Sequence, residues 1–215
     1  MTRSAWWTLA VLAVVAVVIA AFAAELGGNR TPGPSQAGDL ASTARQHRDA
    51  DTPEALAGLR ARAALPPCPT GTDRPGPQEL RGVVAECAAD GTAVDVARAL
   101  AGRPAVLNFW AYWCAPCAQE LPAMADYQRR MGPAVTVLTV HQDENEAAGL
   151  QRLAELGVRL PTLQDGQRRV AAALRVPNVM PATVVLRADG SVAQILPRAF
   201  ASADEIEAAV EGDLR

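Results

Sequence analysis

The chain has 215 residues, half of them hydrophobic, and a formal net charge of -3. That length supports one domain with a sizeable core plus appendages. The near-neutral balance leaves no basic field to hold phosphates, so a nucleic-acid binder is excluded. Every cationic side chain is an arginine, and the four cysteines fit a compartment where disulfides persist or a metal site, which their spacing must decide between.

From Ala5 to Ala24 the chain carries no charge. As a helix rising about 1.5 Å per residue this run would extend about 30 Å, the thickness of a bilayer core. Arg3 precedes it, Glu25 follows it, and Trp6 and Trp7 lie at its inner edge, where amphipathic rings favour an interface. We expect residues 1–26 to be a membrane anchor with the folded part outside the cytoplasm. A cleaved signal segment, with Ala21-Phe22-Ala23 as the cleavage pattern, stays open and would make the protein secreted. Residues 27–66 turn to Gly, Pro, Ser, Gln and charge and read as a flexible linker, with room for a short helix between Glu54 and Ala64.

Pro66-Pro67 and Pro69 end that helix, and the remaining domain is expected over residues 67–215. Val83 to Cys87 and Ala93 to Val96 flank Asp90-Gly91 as a β-hairpin. Ala105 to Trp110 and Ala134 to Val140 are continuous apolar runs, as in strands buried on both faces of a parallel sheet. The helix joining them is expected from Cys114 to Met131, with Gly132 as its αL cap. Further helices are read over Glu144 to Leu156, capped by Gly157, and Gln167 to Val176. A second hairpin turns at Ala188-Asp189-Gly190, and Ser202-Ala203-Asp204-Glu205 opens the last helix as a capping box. The order implies an α/β domain with a mixed sheet, flanked by helices and preceded by a hairpin.

Disulfide exchange needs a thiolate that attacks a partner disulfide and a second thiol that resolves the mixed disulfide. Cys114 and Cys117 have that spacing. At a helix start Cys114 meets unpaired backbone N–H groups and the positive dipole end, which favour the thiolate, so it is the expected nucleophile. Cys117, three residues on, shares its helical face and is the expected resolving thiol. Pro116 sits in the first turn, where its missing N–H costs nothing.

The run Asn108-Phe109-Trp110-Ala111-Tyr112-Trp113-Cys114-Ala115-Pro116-Cys117 resembles the active-site segment of thioredoxins. With Glu120-Leu121-Pro122, Met180-Pro181-Ala182-Thr183 and the anchor-like amino terminus, the chain is more narrowly similar to the TlpA-like (ResA-like) membrane-anchored thioredoxins linked to cytochrome c maturation. The resemblance covers roughly Leu80 to Leu196 and implies a thioredoxin fold with the hairpin added in front. It implies that Pro181 is cis and faces the redox pair. Ala115, Pro116, Met180 and Pro181 are expected to contact the partner, as is Trp113, an aromatic flanking a strand end whose competing reading is core or rim packing. It implies protein disulfides, apocytochrome c among them, as substrates and a membrane thiol-electron carrier as the source of electrons.

Where cytoplasmic thioredoxins bury an acid six positions before the first cysteine, this chain has Asn108, which cannot accept the proton. Glu120, on the helical face of Cys117, is the expected acid/base; the competing reading is a solvated first-turn acid. For Cys68 and Cys87, which the resemblance places in the added segment, a structural disulfide is expected beside two open alternatives: a second redox pair and a zinc site. Zinc usually asks for two C-x2-C knuckles where the chain has one, so no metal and no cofactor is assigned. His141 reads as a solvated loop residue after the second core strand, and His47 carries no role. Two other functions remain: a disulfide-donating oxidase, and a Cu(I) handler using the cysteine pair with Met180. A peroxidase is set aside because Ala111 stands where a Thr-x-x-Cys context needs threonine.

Overall fold

The computed structural model describes residues 51–214. The membrane or signal segment expected over residues 1–26 lies outside the described residues, as does most of the linker. Among the described residues no helix is long and apolar enough to cross a membrane.

Helix α1 spans Pro53–Ala63, with Thr52 as N-cap accepting from the Ala55 N–H at 3.3 Å. It is not a solvated tether: Leu56 and Ala63 are buried in a cluster with Ala88 and Leu150. Arg60 on the same helix bonds Glu86 at 2.7 Å and Glu146 at 2.9 Å. Strands β1 (Val84–Cys87) and β2 (Ala93–Asp95) pair antiparallel as the hairpin, and the short helix α2 (Val96–Ala99) follows. Then come β3 (Ala105–Trp110), α3 (Ala115–Met131) and β4 (Thr136–His141), in which β3 and β4 are parallel neighbours, the βαβ unit that the apolar runs imply. Helix α4 (Glu146–Leu156), strand β5 (Thr162–Gln164), helix α5 (Arg169–Ala173), strands β6 (Ala182–Leu186) and β7 (Val192–Leu196) and helix α6 (Ala203–Val210) complete the chain.

The seven strands form one sheet in the order β2-β1-β5-β4-β3-β6-β7. The centre β5-β4-β3 is parallel and the flanking pairs are antiparallel. Side chains of β3 alternate between two cores, as the period of two requires. Ala105, Leu107 and Phe109 pack with Leu138, Val140, Leu163 and Val184 on one face. Val106 and Trp110 pack on the other with Val137, Val185, Leu121, Met124 and Ile206, which brings α3 and α6 over that face.

Several boundaries differ from the sequence reading for local reasons. Gly132 ends α3 at φ 54° and ψ -132°, not in the αL well, and a 3-10 turn over Gly132–Ala134 delays β4 to Thr136. Asn145, not an earlier residue, caps α4 by accepting from the Ala148 N–H, and Gly157 closes it in the αL conformation. Ser202 caps α6 through the Glu205 N–H, while the return bond of the Glu205 carboxylate goes to Ala201, one residue before the cap. Strand β5 was not expected: its three residues are extended because β4 and β1 pair with them on both sides.

Candidate functional site

Cys114 is the N-cap of α3, with φ -80° and ψ 102°, and its Sγ accepts from the Cys117 N–H at 3.2 Å. A sulfur held there meets the unpaired donors of the first turn, which stabilise negative charge on it. The structure joins Cys114 to Cys117 in a disulfide with Cα atoms 5.2 Å apart. Cys114 is 5% exposed and Cys117 fully buried, so an incoming disulfide reaches the first sulfur before the second.

Around the pair, Ala115 and Pro116 are exposed and Trp113 is 58% exposed. The Trp113 indole is nonetheless anchored: its Nε1–H donates to Asp143 at 2.9 Å. The Met180–Pro181 peptide is cis, Pro181 is buried, and Met180 packs half-buried against the cluster that contains both cysteines. Val179 beside it is one of the few exposed large hydrophobic residues among those described. The arrangement is an exposed, largely apolar rim beside a nearly buried Cys114 and a fully buried Cys117.

Glu120 is not a solvated first-turn acid. It is fully buried, and both carboxylate oxygens are engaged: Oε2 accepts from Asn108 Nδ2 at 2.7 Å and Oε1 from the Phe200 N–H at 3.1 Å. Loss of hydration raises its pKa from 4.5 to about 7, against the smaller opposing pull of the two hydrogen bonds and of Arg198, with Glu205 pushing it up. A carboxyl held there takes up and releases its proton near neutral pH. Arg198 lies over the Phe200 ring, 4.2 Å from its centroid, and bonds Glu205. The sequence reading missed Phe200 and Asp143. Only the polar Asn108 within an otherwise apolar strand signalled that something beneath the cysteines needed a partner.

His141 is also not a solvated loop residue. It closes β4, is 1% exposed, packs tilted against the Trp110 ring with centroids 4.7 Å apart and bonds Gln164 through Nδ1 at 2.7 Å. Burial lowers its pKa. Among the described residues no group of three or more His, Cys, Asp or Glu side chains is gathered where it could hold a metal ion.

Away from the site, Cys68 and Cys87 are joined by a second disulfide with Cα atoms 5.8 Å apart. Cys87 is buried at the end of β1 and Cys68 half-buried, so the bridge ties the segment after α1 to the sheet.

Residues 80–195 match the family model described as AhpC/TSA family. The chain belongs to the AhpC/TSA family. It is 32% identical over 98 residues to the thiol-disulfide oxidoreductase ResA of Bacillus subtilis, covering 45% of this chain and 54% of that protein. Thioredoxin of Rhodospirillum rubrum is 41% identical over 68 residues, 30% of this chain and 62% of that one. The chain thus spans roughly half of the ResA relative it matches. A solved structure of a secreted Mycobacterium tuberculosis disulfide oxidoreductase homologous to E. coli DsbE is 28% identical with a TM-score of 0.55, covering 63% of this chain and 98% of that one. The fold of this family member is the thioredoxin fold, with the β1-β2 hairpin added at the sheet edge beyond β5.

Proposed function

We propose that the chain is an extracytoplasmic thiol:disulfide oxidoreductase that reduces protein disulfides through Cys114 and Cys117. One observation carries the reading: Cys114 at the start of α3 keeps a small exposed fraction, its partner Cys117 is fully buried, and a buried carboxyl lies one helical turn further on. In the reduced protein the Cys114 thiolate attacks a sulfur of the partner disulfide and expels the other as a thiolate. Cys117 then gives its proton to the Glu120 carboxylate and attacks Cys114 Sγ. The second partner sulfur leaves, and the Cys114–Cys117 disulfide forms. Two electrons pass to the partner, and an external dithiol must restore them. Trp113, Ala115, Pro116 and Met180 form the rim on which the partner's chain rests, and the buried cis-Pro181 follows Met180 as its support. Cys68–Cys87 serves as a structural tie.

The uncharged run Ala5 to Ala24 supports an envelope location with the membrane as attachment. The finer assignment, apocytochrome c disulfides as substrates and a membrane thiol carrier as reductant, rests on the resemblance of the sequence motifs to ResA-like proteins.

The test is a capture experiment with a disulfide-bearing target such as insulin. Cys114→Ser is expected to abolish exchange, and Cys117→Ser to accumulate mixed disulfides. Equal capture by both variants would overturn the assignment of roles. Direction is read from the reduction potential: a value near the thioredoxin end, about -270 mV, supports a reductase, and one near about -120 mV an oxidase.

A further inference from the structure

Asn108 stands in the middle of β3 on the face that carries Val106 and Trp110, the face covered by α3. Its register partners are Thr183 on β6 and Thr139 on β4, and all three side chains are fully buried. Asn108 Nδ2 donates to Glu120, but Asn108 Oδ1 has no hydrogen-bond partner among the described residues, nor has the Thr183 hydroxyl. Buried polar atoms without partners are rare and ask for a reason. The hydroxyl of Thr139 is already committed, because Thr162 donates to the Leu160 carbonyl at 3.0 Å and so takes the Thr139 proton at 2.8 Å.

The chemistry of Glu120 supplies the reason. A carboxylate only accepts, whereas a carboxylic acid also donates. The Phe200 N–H can only donate, so Oε1 keeps that bond in either state, and the acid's proton is placed on Oε2, the oxygen that faces Asn108. An O–H directed along the line to Asn108 needs an acceptor there, which Nδ2 does not supply. The terminal torsion of asparagine is broad and roughly two-fold, so the amide can turn over and present Oδ1 instead. A hydroxyl donates or accepts as required, and Thr183 can therefore serve either end of the amide.

We propose that Asn108 is a positioning residue for proton transfer at Glu120: its amide offers Nδ2 to the carboxylate and turns to offer Oδ1 to the acid, which brings the freed Nδ2 toward the unpartnered hydroxyl of its register partner Thr183. The proposal rests on the exchange reading. The proton that leaves Cys117 goes to Glu120 Oε2 and later to the departing thiolate, so the amide turns twice per exchange. The other charged groups acting on Glu120, Arg198 and Glu205, lie on the α6 side and oppose one another. They do not contact the oxygen that takes the proton, whose partner is Asn108.

The experiment uses the full chain with carbon-13 in glutamate carboxyls and nitrogen-15 in asparagine side chains. In the wild-type protein the Asn108 amide protons are expected to exchange a Glu120 neighbour for a Thr183 neighbour with the midpoint of the Glu120 titration, near 7. In Asn108→Leu, where one charge-assisted hydrogen bond is lost, that midpoint is expected to rise by about 1–2 pH units. The pH profile of mixed-disulfide release should rise with it. Amide protons that keep one neighbour throughout overturn the proposal, a measurement that needs no variant to fold. An unmoved midpoint in Asn108→Leu also overturns it. A release profile that responds to Glu120→Gln but not to Asn108→Leu overturns it alone. A profile that responds to neither overturns the role of Glu120 in exchange, and the proposal with it.

Discussion

Replacing Glu120 with glutamine separates a catalytic acid from a structural one, because the two roles predict different pH behaviour. The folded protein holds this carboxyl at about 7 where an unhindered glutamate has 4.5. Burial disfavours the charged form, so the fold binds a proton that the unfolded chain releases. The stabilisation by the neutral acid is complete below about pH 4.5 and is lost as pH rises to about 7. At 1.36 kcal/mol per unit the loss amounts to roughly 3 kcal/mol. Glutamine keeps the shape and a carbonyl for the Phe200 N–H, and its own amide can donate to Asn108 Oδ1. Urea unfolding of both proteins between pH 4 and 9 should therefore show Glu120→Gln gaining on the wild type by roughly 3 kcal/mol up to about pH 7 and no further. Stopped-flow exchange should show the reverse, a rate reduced by about 10²–10⁴-fold and stripped of its inflection near 7. Parallel stability curves would mean the carboxyl is already ionised in the fold. Superimposable rate profiles would mean it moves no proton.

Gly149→Ala sets two effects against each other: a Cβ there would come within 2.8 Å of the His141 ring, which Trp110 and Gln164 hold in place. Overpacking of about 1–3 kcal/mol should exceed the helix-propensity gain of about 1 kcal/mol, so urea unfolding should show destabilisation, and a more stable variant would refute the fixed ring. Replacing both Cys68 and Cys87 with serine opens a loop closed across a sequence separation of 19 and should cost about 3 kcal/mol in the chain-entropy model. An unchanged denaturation midpoint would show that the bridge contributes nothing to the fold.

The parts of the fold that were legible in the sequence are those whose signals are local. The runs Ala105 to Trp110 and Ala134 to Val140 are apolar enough to be buried strands wherever they lie, and a proline two residues after Cys114 marks the start of α3. Strand β5 carried no such signal, because Thr162, Leu163 and Gln164 form a strand only through neighbours supplied by β1 and β4. The error at His141 was one residue of strand length: once β4 extends to it, the period of two puts its ring on the face of Val137 and Thr139, under Trp110.

Glu120 marks where local reading stops. Helical spacing from Cys117 places its carboxyl on the right face of α3, and that much is arithmetic on three residues. Whether the face is wet or dry depends on Phe200, which donates its N–H from 80 positions away, and on Asn108, which arrives from the strand before the helix. No periodicity within α3 encodes either partner. The polar residue interrupting an apolar strand was the visible half of the arrangement, since a buried amide demands a partner of matching polarity. Its other half is a carboxyl whose proton affinity is set by the packing of β3 and the segment at Phe200 against one helix turn. The chemistry assigned to Cys117 therefore depends on tertiary closure over α3, and a chain that kept every active-site motif but lost the Phe200 contact would keep the cysteines without the same acid/base beside them.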